Sequence, residues 1–260
     1  ADAVQDAERS QPVVADAVSE DDLRLLSLGL IESERRGKKL LHRVGPPFVR
    51  ARIGQEVRAP LVGAEIFAND ASDRLPGGLI VVGSHVGLTS RQLDRLLVAR
   101  PDAVRVEVDV EKVLDAATAP AYLSAIATSV SHHLTASDVI VSTSRLLRKS
   151  DDPAESLDIS RRVSAAIVDV VQRTLAAGKP RFVIAKGGIT SSDVAAHGLS
   201  IRHAIVRGPM LPGIVSLWEP VDGPAKGIPY IVFAGNVGDD ESLAAVTAIL
   251  TSHGRTAAAV

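Results

Sequence analysis

Apolar positions follow two different periods along the chain. From Ser19 the period is helical: Leu23, Leu26, Leu30 and Ile31 recur at spacings of three, four and one, the mark of an amphipathic face. Ser19 with Asp22 three positions on resembles a capping arrangement at the start of this helix, and Gly37 supplies its stop. Before it, residues 1–19 mix Ala, Asp and Val without a period and read as a flexible lead-in. After it, Lys39 to Val44 predicts a short strand, and Pro46-Pro47 is expected to end regular structure. Residues 54–78 scatter Pro, Gly, Asn and Asp and read as a connection.

From residue 79 the texture changes. Leu79-Ile80-Val81-Val82 is a continuous apolar run of the kind that a strand buried on both faces requires. Further strands are predicted at Val104–Val108, Val139–Val141, Phe182–Ala185, Ile201–Val206 and Tyr230–Phe233. Helical patterns separate them at about 89–99, 118–134, 157–177, 191–197 and 240–252. This alternation predicts an α/β fold, a parallel or mixed sheet flanked by helices, with Gly-rich strand-to-helix loops at the carboxyl edge.

Composition narrows the function classes. Lys and Arg number 29 against 31 Asp and Glu, so no basic excess points to a nucleic-acid partner. Aromatics are only 3%, too few to build a base-stacking platform. The absence of cysteine excludes disulfides, thiolate metal sites and a cysteine nucleophile, and accords with the reducing cytoplasm, where the protein is expected. No run of 18 apolar residues occurs, so no membrane partner is expected.

The chemistry is concentrated at a recurring junction. Val82-Gly83-Ser84-His85-Val86-Gly87-Leu88-Thr89-Ser90, Val141-Ser142-Thr143-Ser144, Ala185-Lys186-Gly187-Gly188-Ile189-Thr190-Ser191-Ser192-Asp193 and Phe233-Ala234-Gly235-Asn236-Val237-Gly238-Asp239-Asp240 each put glycines or hydroxyls where a buried strand ends. In open α/β sheets ligands bind at that edge. Glycine lets backbone approach a ligand closely, and the N–H groups opening a helix attract anions. The pattern suits a phosphorylated ligand such as a nucleotide. Neither GxGxxG nor Gx4GK[ST] occurs, so the common dinucleotide and P-loop fingerprints are not matched.

The strings GLIVVGSHVGLTSRQLDRLL, IVSTSR, FVIAKGGITSSDVAAHGLSIRHAIVRGPMLPGIVSLW and GIPYIVFAGNVGDDESLAAV, in this order from about Gly78 to Leu250, resemble the C-terminal nucleotide-binding domain of the four-carbon acid sugar kinase family. Asp21 to Gly54, with GKKLLHRVGPPFVRAR, is similar to the closing part of that family's N-terminal sugar-acid domain. The resemblance implies a lead-in over 1–19, a sugar-domain segment and linker over 20–77, and a nucleotide-binding domain over 78–260. It implies ATP with Mg2+ as cofactor. It implies nucleotide contacts at Ser84, Gly187, Gly188, Ile189, Thr190 and Gly235. Many members carry an acidic residue where Ile189 stands, so only backbone contacts are expected there. The expected substrate is a threonate, erythronate or oxo-tetronate, held by an N-terminal domain absent from this sequence. On this reading the chain is the ATP-binding part of a kinase, possible as a homo-oligomer, with its catalytic base unassigned. The alternative is a stand-alone nucleotide-binding or regulatory module without catalysis.

Other residues carry two readings each. Lys186 is either a point-charge partner for phosphate or a solvated strand-end lysine. Ser90 and Thr190 suit helix N-caps as well as ligand contacts. Asp239, Asp240 and Asp193 could hold Mg2+ through water, but capping the following helix is their ordinary role. His85 lies in the first loop, where a lone histidine is usually structural. Asp109 and Glu111 follow a strand and could face the cleft, but a solvated face is their ordinary role, and His132-His133 lacks a third ligand at metal spacing.

Overall fold

The computed structural model describes residues 1–7, 11–68, 73–84, 86–144, 152–212 and 214–252. The chain divides into two compact units, Ala1–Ala59 and Pro60–Val260.

The first unit is helical. It holds α1 (Asp2–Gln5), α2 (Glu20–Arg35) and α3 (Pro46–Arg52). The capping box at α2 is present: the Asp22 amide donates to Ser19 Oγ (3.2 Å) and the Ser19 amide donates to Asp22 Oδ2 (2.8 Å). The Ser19 amide, with the Ser19 hydroxyl and the Val18 amide, holds the Asp22 carboxyl below the usual carboxylate range. Arg50 and Arg52 of α3 reach back to Glu20 and Glu34 of α2, tying the two helices together. Two expectations are corrected here. Lys39 to Val44 is not a strand, because among the described residues of this unit no neighbouring strand offers it a ladder. Pro46-Pro47 opens α3 rather than ending regular structure, since the first helical turn needs no proline N–H.

The second unit carries the sheet. After α4 (Gly63–Ile66) the elements run β1 (Leu79–Val82), α5 (Gly87–Ala99), β2 (Val104–Val108), α6 (Val110–Leu114), α7 (Ala119–Leu134), β3 (Val139–Thr143), α8 (Pro153–Ala177), β4 (Val183–Lys186) and α9 (Gly188–Asp193). A π turn (Val194–Gly198), β5 (Ala204–Leu211), β6 (Ile214–Pro220), β7 (Tyr230–Phe233) and α10 (Ser242–Thr251) complete it. The strand order is β2-β3-β1-β4-β7-β6-β5. The first five of these run parallel; β6 is antiparallel to both β7 and β5. The sheet is therefore mixed, as expected. The predicted strand at Ile201–Val206 shifts to Ala204–Leu211, and β6 joins it as an unforeseen partner.

Alternate strand residues face opposite layers. Leu79, Val81, Val139, Val141, Val183 and Ala185 pack under α7 and α8 through Val130, Leu134, Ile167 and Val170. Ile80, Val82, Ile140, Ile184 and Phe233 pack under α5 and α10 through Leu93, Leu96, Leu243 and Val246. This two-sided burial explains the continuous apolar runs. Asp138 fastens the amino ends of the central strands: its Oδ1 accepts the Gly78 amide (2.8 Å) and its Oδ2 accepts Arg100 (2.6 Å).

The topology also creates a crevice. The chain leaving β1 turns to the α5 face, whereas the chain leaving the neighbouring β4 turns to the face of α8. Connections that depart to opposite faces of adjacent strands leave space between their carboxyl ends.

Candidate functional site

That crevice is a cavity of about 300 Å³. Gly83 and Ser84 after β1, Thr143 at the end of β3, and Gly187, Gly188, Ile189 and Thr190 after β4 line it. Its remaining wall comes from Val110 of α6, one face of α8, and Asp193 and Val194. Five of the six residues expected to touch nucleotide thus share one cavity. The sixth, Gly235, does not line it but abuts Ser84 from the end of β7.

The glycines have different jobs. A Cβ on Gly83 would lie 2.3 Å from Thr190 Oγ1, and a Cβ on Gly235 would lie 2.9 Å from Ser84 Oγ. Both positions must be bare so that the two hydroxyls fit between the loops. Gly187 has φ +126°, a conformation that side chains rarely adopt, and it precedes the first turn of α9. Gly188 is the exception. A Cβ there meets no atom within 4 Å, although the residue lines the cavity. Ile189 lines the cavity and is 73% exposed, so its side chain is open to solvent. Thr190 and Ser90 lie inside α9 and α5 and cap neither, which corrects the simple N-cap reading.

The β7 loop is held from below. Thr89 Oγ1 donates to the Gly235 carbonyl (2.9 Å), and Gln92 Nε2 donates to the Val237 and Asp239 carbonyls (3.1 and 2.6 Å). Lys186 is fully buried, so it is not a solvated strand-end lysine. Its Nζ donates to the Ala234 carbonyl (2.7 Å) and sits 3.9 Å from the Phe233 ring centroid. Burial pushes its pKa down to about 8. It braces the loop and does not line the cavity.

The acidic candidates separate. Asp239 accepts from Ser242 Oγ (2.7 Å) and the Glu241 amide (3.1 Å), an arrangement at the start of α10 that lowers its carboxyl. Asp240 pairs with Arg91 of α5 (2.8 Å). Asp109 caps α6 by accepting from the Glu111 amide (3.0 Å). Asp193 is not a cap; it ends α9 on the cavity wall and accepts the Ser164 hydroxyl. His132 and His133 meet edge to face near the end of α7, and His85 lies outside the described residues. Among the described residues no group of three or more His, Asp or Glu is placed to hold a metal ion. No helix among them is long and apolar enough to cross a membrane.

The sequence reading missed the α8 wall. Ile159, Ser160, Val163, Ser164, Ile167 and Val168 line the cavity, and their spacing of one, three and four is a single helical face. The stripe is visible in the sequence, but only the fold brings it beside loops that follow other strands.

Residues 79–243 match the model of a family described as the nucleotide-binding C-terminal domain. The chain belongs to that family. The match begins at the first residue of β1 and ends in the first turn of α10, so it takes in every cavity-lining residue. It bears out the resemblance carried by the strand–loop–helix strings. No curated protein matches the chain. Among solved structures, a Salmonella typhimurium LT2 protein provisionally named a tRNA synthase is similar at 22% identity and TM-score 0.61, covering 88% of this chain and 50% of that one. A Haemophilus influenzae protein of the DUF1537 family is 18% identical, with TM-score 0.55 and coverage of 90% and 52%. A Bordetella bronchiseptica DUF1537 domain, solved with citrate as a domain-swapped dimer, is 19% identical, with TM-score 0.54 and coverage of 91% and 52%. At these identities the likeness shows a shared fold. The nucleotide-binding chain spans about half the length of these structures.

Proposed function

We propose that this chain is the ATP-binding part of a kinase that phosphorylates a four-carbon sugar acid, a threonate, erythronate or oxo-tetronate, at a hydroxyl. The observation that carries the reading is the convergence of Ser84, Gly187, Gly188, Ile189 and Thr190 on one cavity at the carboxyl edge, with Gly235 packed behind Ser84. The donor set fits a polyphosphate. Backbone amides opening α9 and two neutral hydroxyls offer hydrogen bonds, and the bare Cα of Gly188 leaves room for a phosphate against the chain. Mg2+ carried with the nucleotide would neutralise phosphate charge.

Phosphoryl transfer depends on positioning and charge neutralisation more than on covalent help from the protein. The acceptor oxygen bonds the γ-phosphorus while the bond to the β–γ bridging oxygen breaks, and ADP leaves. The hydroxyl proton passes to a base beside the sugar acid, which we assign to an N-terminal domain outside these 260 residues. In this division the present chain holds the triphosphate still, and closure against the sugar domain excludes water.

The test follows ADP release with threonate, erythronate and oxo-tetronate as acceptors. The chain alone should show only slow ATP hydrolysis. Adding the separately expressed N-terminal half of a family kinase should restore acceptor-dependent turnover that rises with its concentration. Nucleotide binding without turnover in any combination would favour a regulatory module, and rapid acceptor phosphorylation by the chain alone would contradict the division of sites.

A further inference from the structure

We propose that the cavity binds a ribonucleotide whose ribose hydroxyls are read by the Asp193 carboxylate, with the base against the apolar wall of α6 and α8; this rests on the reading that phosphates occupy the Gly187–Thr190 loop. The cavity has a composition that polyphosphate alone does not explain. Beside its glycine and hydroxyl loops it is walled by Val110, Ile159, Val163, Ile167 and Val168. Apolar walls with a few placed polar groups are the usual form of a small-molecule site, and they suit a flat aromatic base.

Among the described residues Asp193 is the only carboxylate lining the cavity. A carboxylate repels phosphate, so a nucleotide must present it with a donor. Ser164 Oγ of α8 already donates to Asp193 Oδ2. That bond orients the carboxylate and leaves Oδ1 for a second partner; among the described residues no other side chain bonds it. Asp193 lies three residues after Thr190 on α9, so the two share a helix face with Cβ atoms roughly 5–6 Å apart. The spacing matches the step from a phosphate to the hydroxyls of the attached sugar, and falls short of the step to an amino group on the base. α9 then opens into the π turn Val194–Gly198, a geometry that recurs at functional sites.

The full chain is titrated calorimetrically, with Mg2+, against ATP, dideoxy-ATP (which lacks both ribose hydroxyls) and inorganic tripolyphosphate. Wild type should bind dideoxy-ATP about tenfold or more weakly than ATP, the size of a lost hydrogen bond to a charged group. Asp193→Asn should bring ATP and dideoxy-ATP close together and leave tripolyphosphate unchanged. Ser164→Ala should weaken the preference in the same direction. Equal binding of ATP and dideoxy-ATP by wild type overturns the ribose assignment and leaves the nucleotide site standing. Loss of tripolyphosphate binding in Asp193→Asn would assign the carboxylate to the cation instead and also overturn it. If none of the three ligands binds, the nucleotide reading falls as well. The wild-type comparison needs no variant to fold.

Discussion

Gly188 separates a ligand loop from an ordinary turn. Its Cβ position is open to 4 Å, it opens α9, and it lines the cavity. A side chain placed there disturbs no protein atom. Gly188→Ala should therefore stabilise the fold by about 0.5–1 kcal/mol through helix propensity, a rise of roughly 2–4 °C in Tm for each kcal/mol. Gly188→Asp should also fold, because a carboxylate in the first turn of a helix is favourable by about 0.3–1 kcal/mol. Its effect on binding is different. A carboxylate about 4 Å from one phosphate charge, at the effective dielectric of a partly exposed site, costs about 4 kcal/mol, close to a thousandfold in affinity. Calorimetric titration with Mg·ATP, paired with a thermal melt, separates the two quantities. Gly83→Ala is the contrasting variant: its Cβ would lie 2.3 Å from Thr190 Oγ1, so it should lose about 1–3 kcal/mol of stability as well as affinity. Wild-type affinity in Gly188→Asp would show that the loop is only a turn. Unfolding of Gly188→Ala would refute the open geometry.

Three further outcomes follow from the same packing. Thr190→Ala should weaken Mg·ATP binding by about 1 kcal/mol, the scale of one neutral hydrogen bond, in the same titration. Lys186 has a folded pKa of about 8 against an ordinary 10.5; the unfolded chain holds the extra proton between these values, so wild-type stability should climb as pH rises from about 8 towards 10.5. Below pH 8 burial costs its full amount, roughly 3 kcal/mol. Lys186→Met should lack this rise in urea denaturation, because methionine carries no proton to lose. Asp138→Ala should cost about 1–3 kcal/mol in the same measurement, because it leaves the Gly78 amide without its acceptor and removes one of the two carboxylates that pair with Arg100, the other being Asp102.

The sheet was legible where strands are buried on both faces. Leu79–Val82, Val139–Val141 and Tyr230–Phe233 are unbroken apolar runs because helices cover them on either side. The β5–β6 pair was not. β5 carries Gly208 and Pro209, which normally argue against a strand. It tolerates them because it is an edge strand with a register shift between Val206 and Gly208. Lys39 to Val44 failed for the opposite reason: its pattern suited a strand, but no partner strand lies among the described residues of its own unit. At the site, Ser84 and the Gly187–Thr190 loop were legible because each junction shows glycine and hydroxyls where a strand stops. Asp193 looked like a cap because a local reading cannot see Ser164, 29 residues away in sequence, donate to it. The same limit hid Lys186, whose partner Ala234 lies 48 residues on.

The central claim is that ATP lies in the cavity at the carboxyl edge, with its phosphates on the Gly187–Thr190 loop. A crystal structure with Mg2+ and a non-hydrolysable ATP analogue tests it most directly. The account predicts phosphate oxygens within hydrogen-bond distance of the backbone amides of Gly188 to Thr190 and of Ser84 Oγ, with the nucleoside between α8 and Asp193. An analogue bound elsewhere on the chain, with this cavity filled only by solvent, would contradict it.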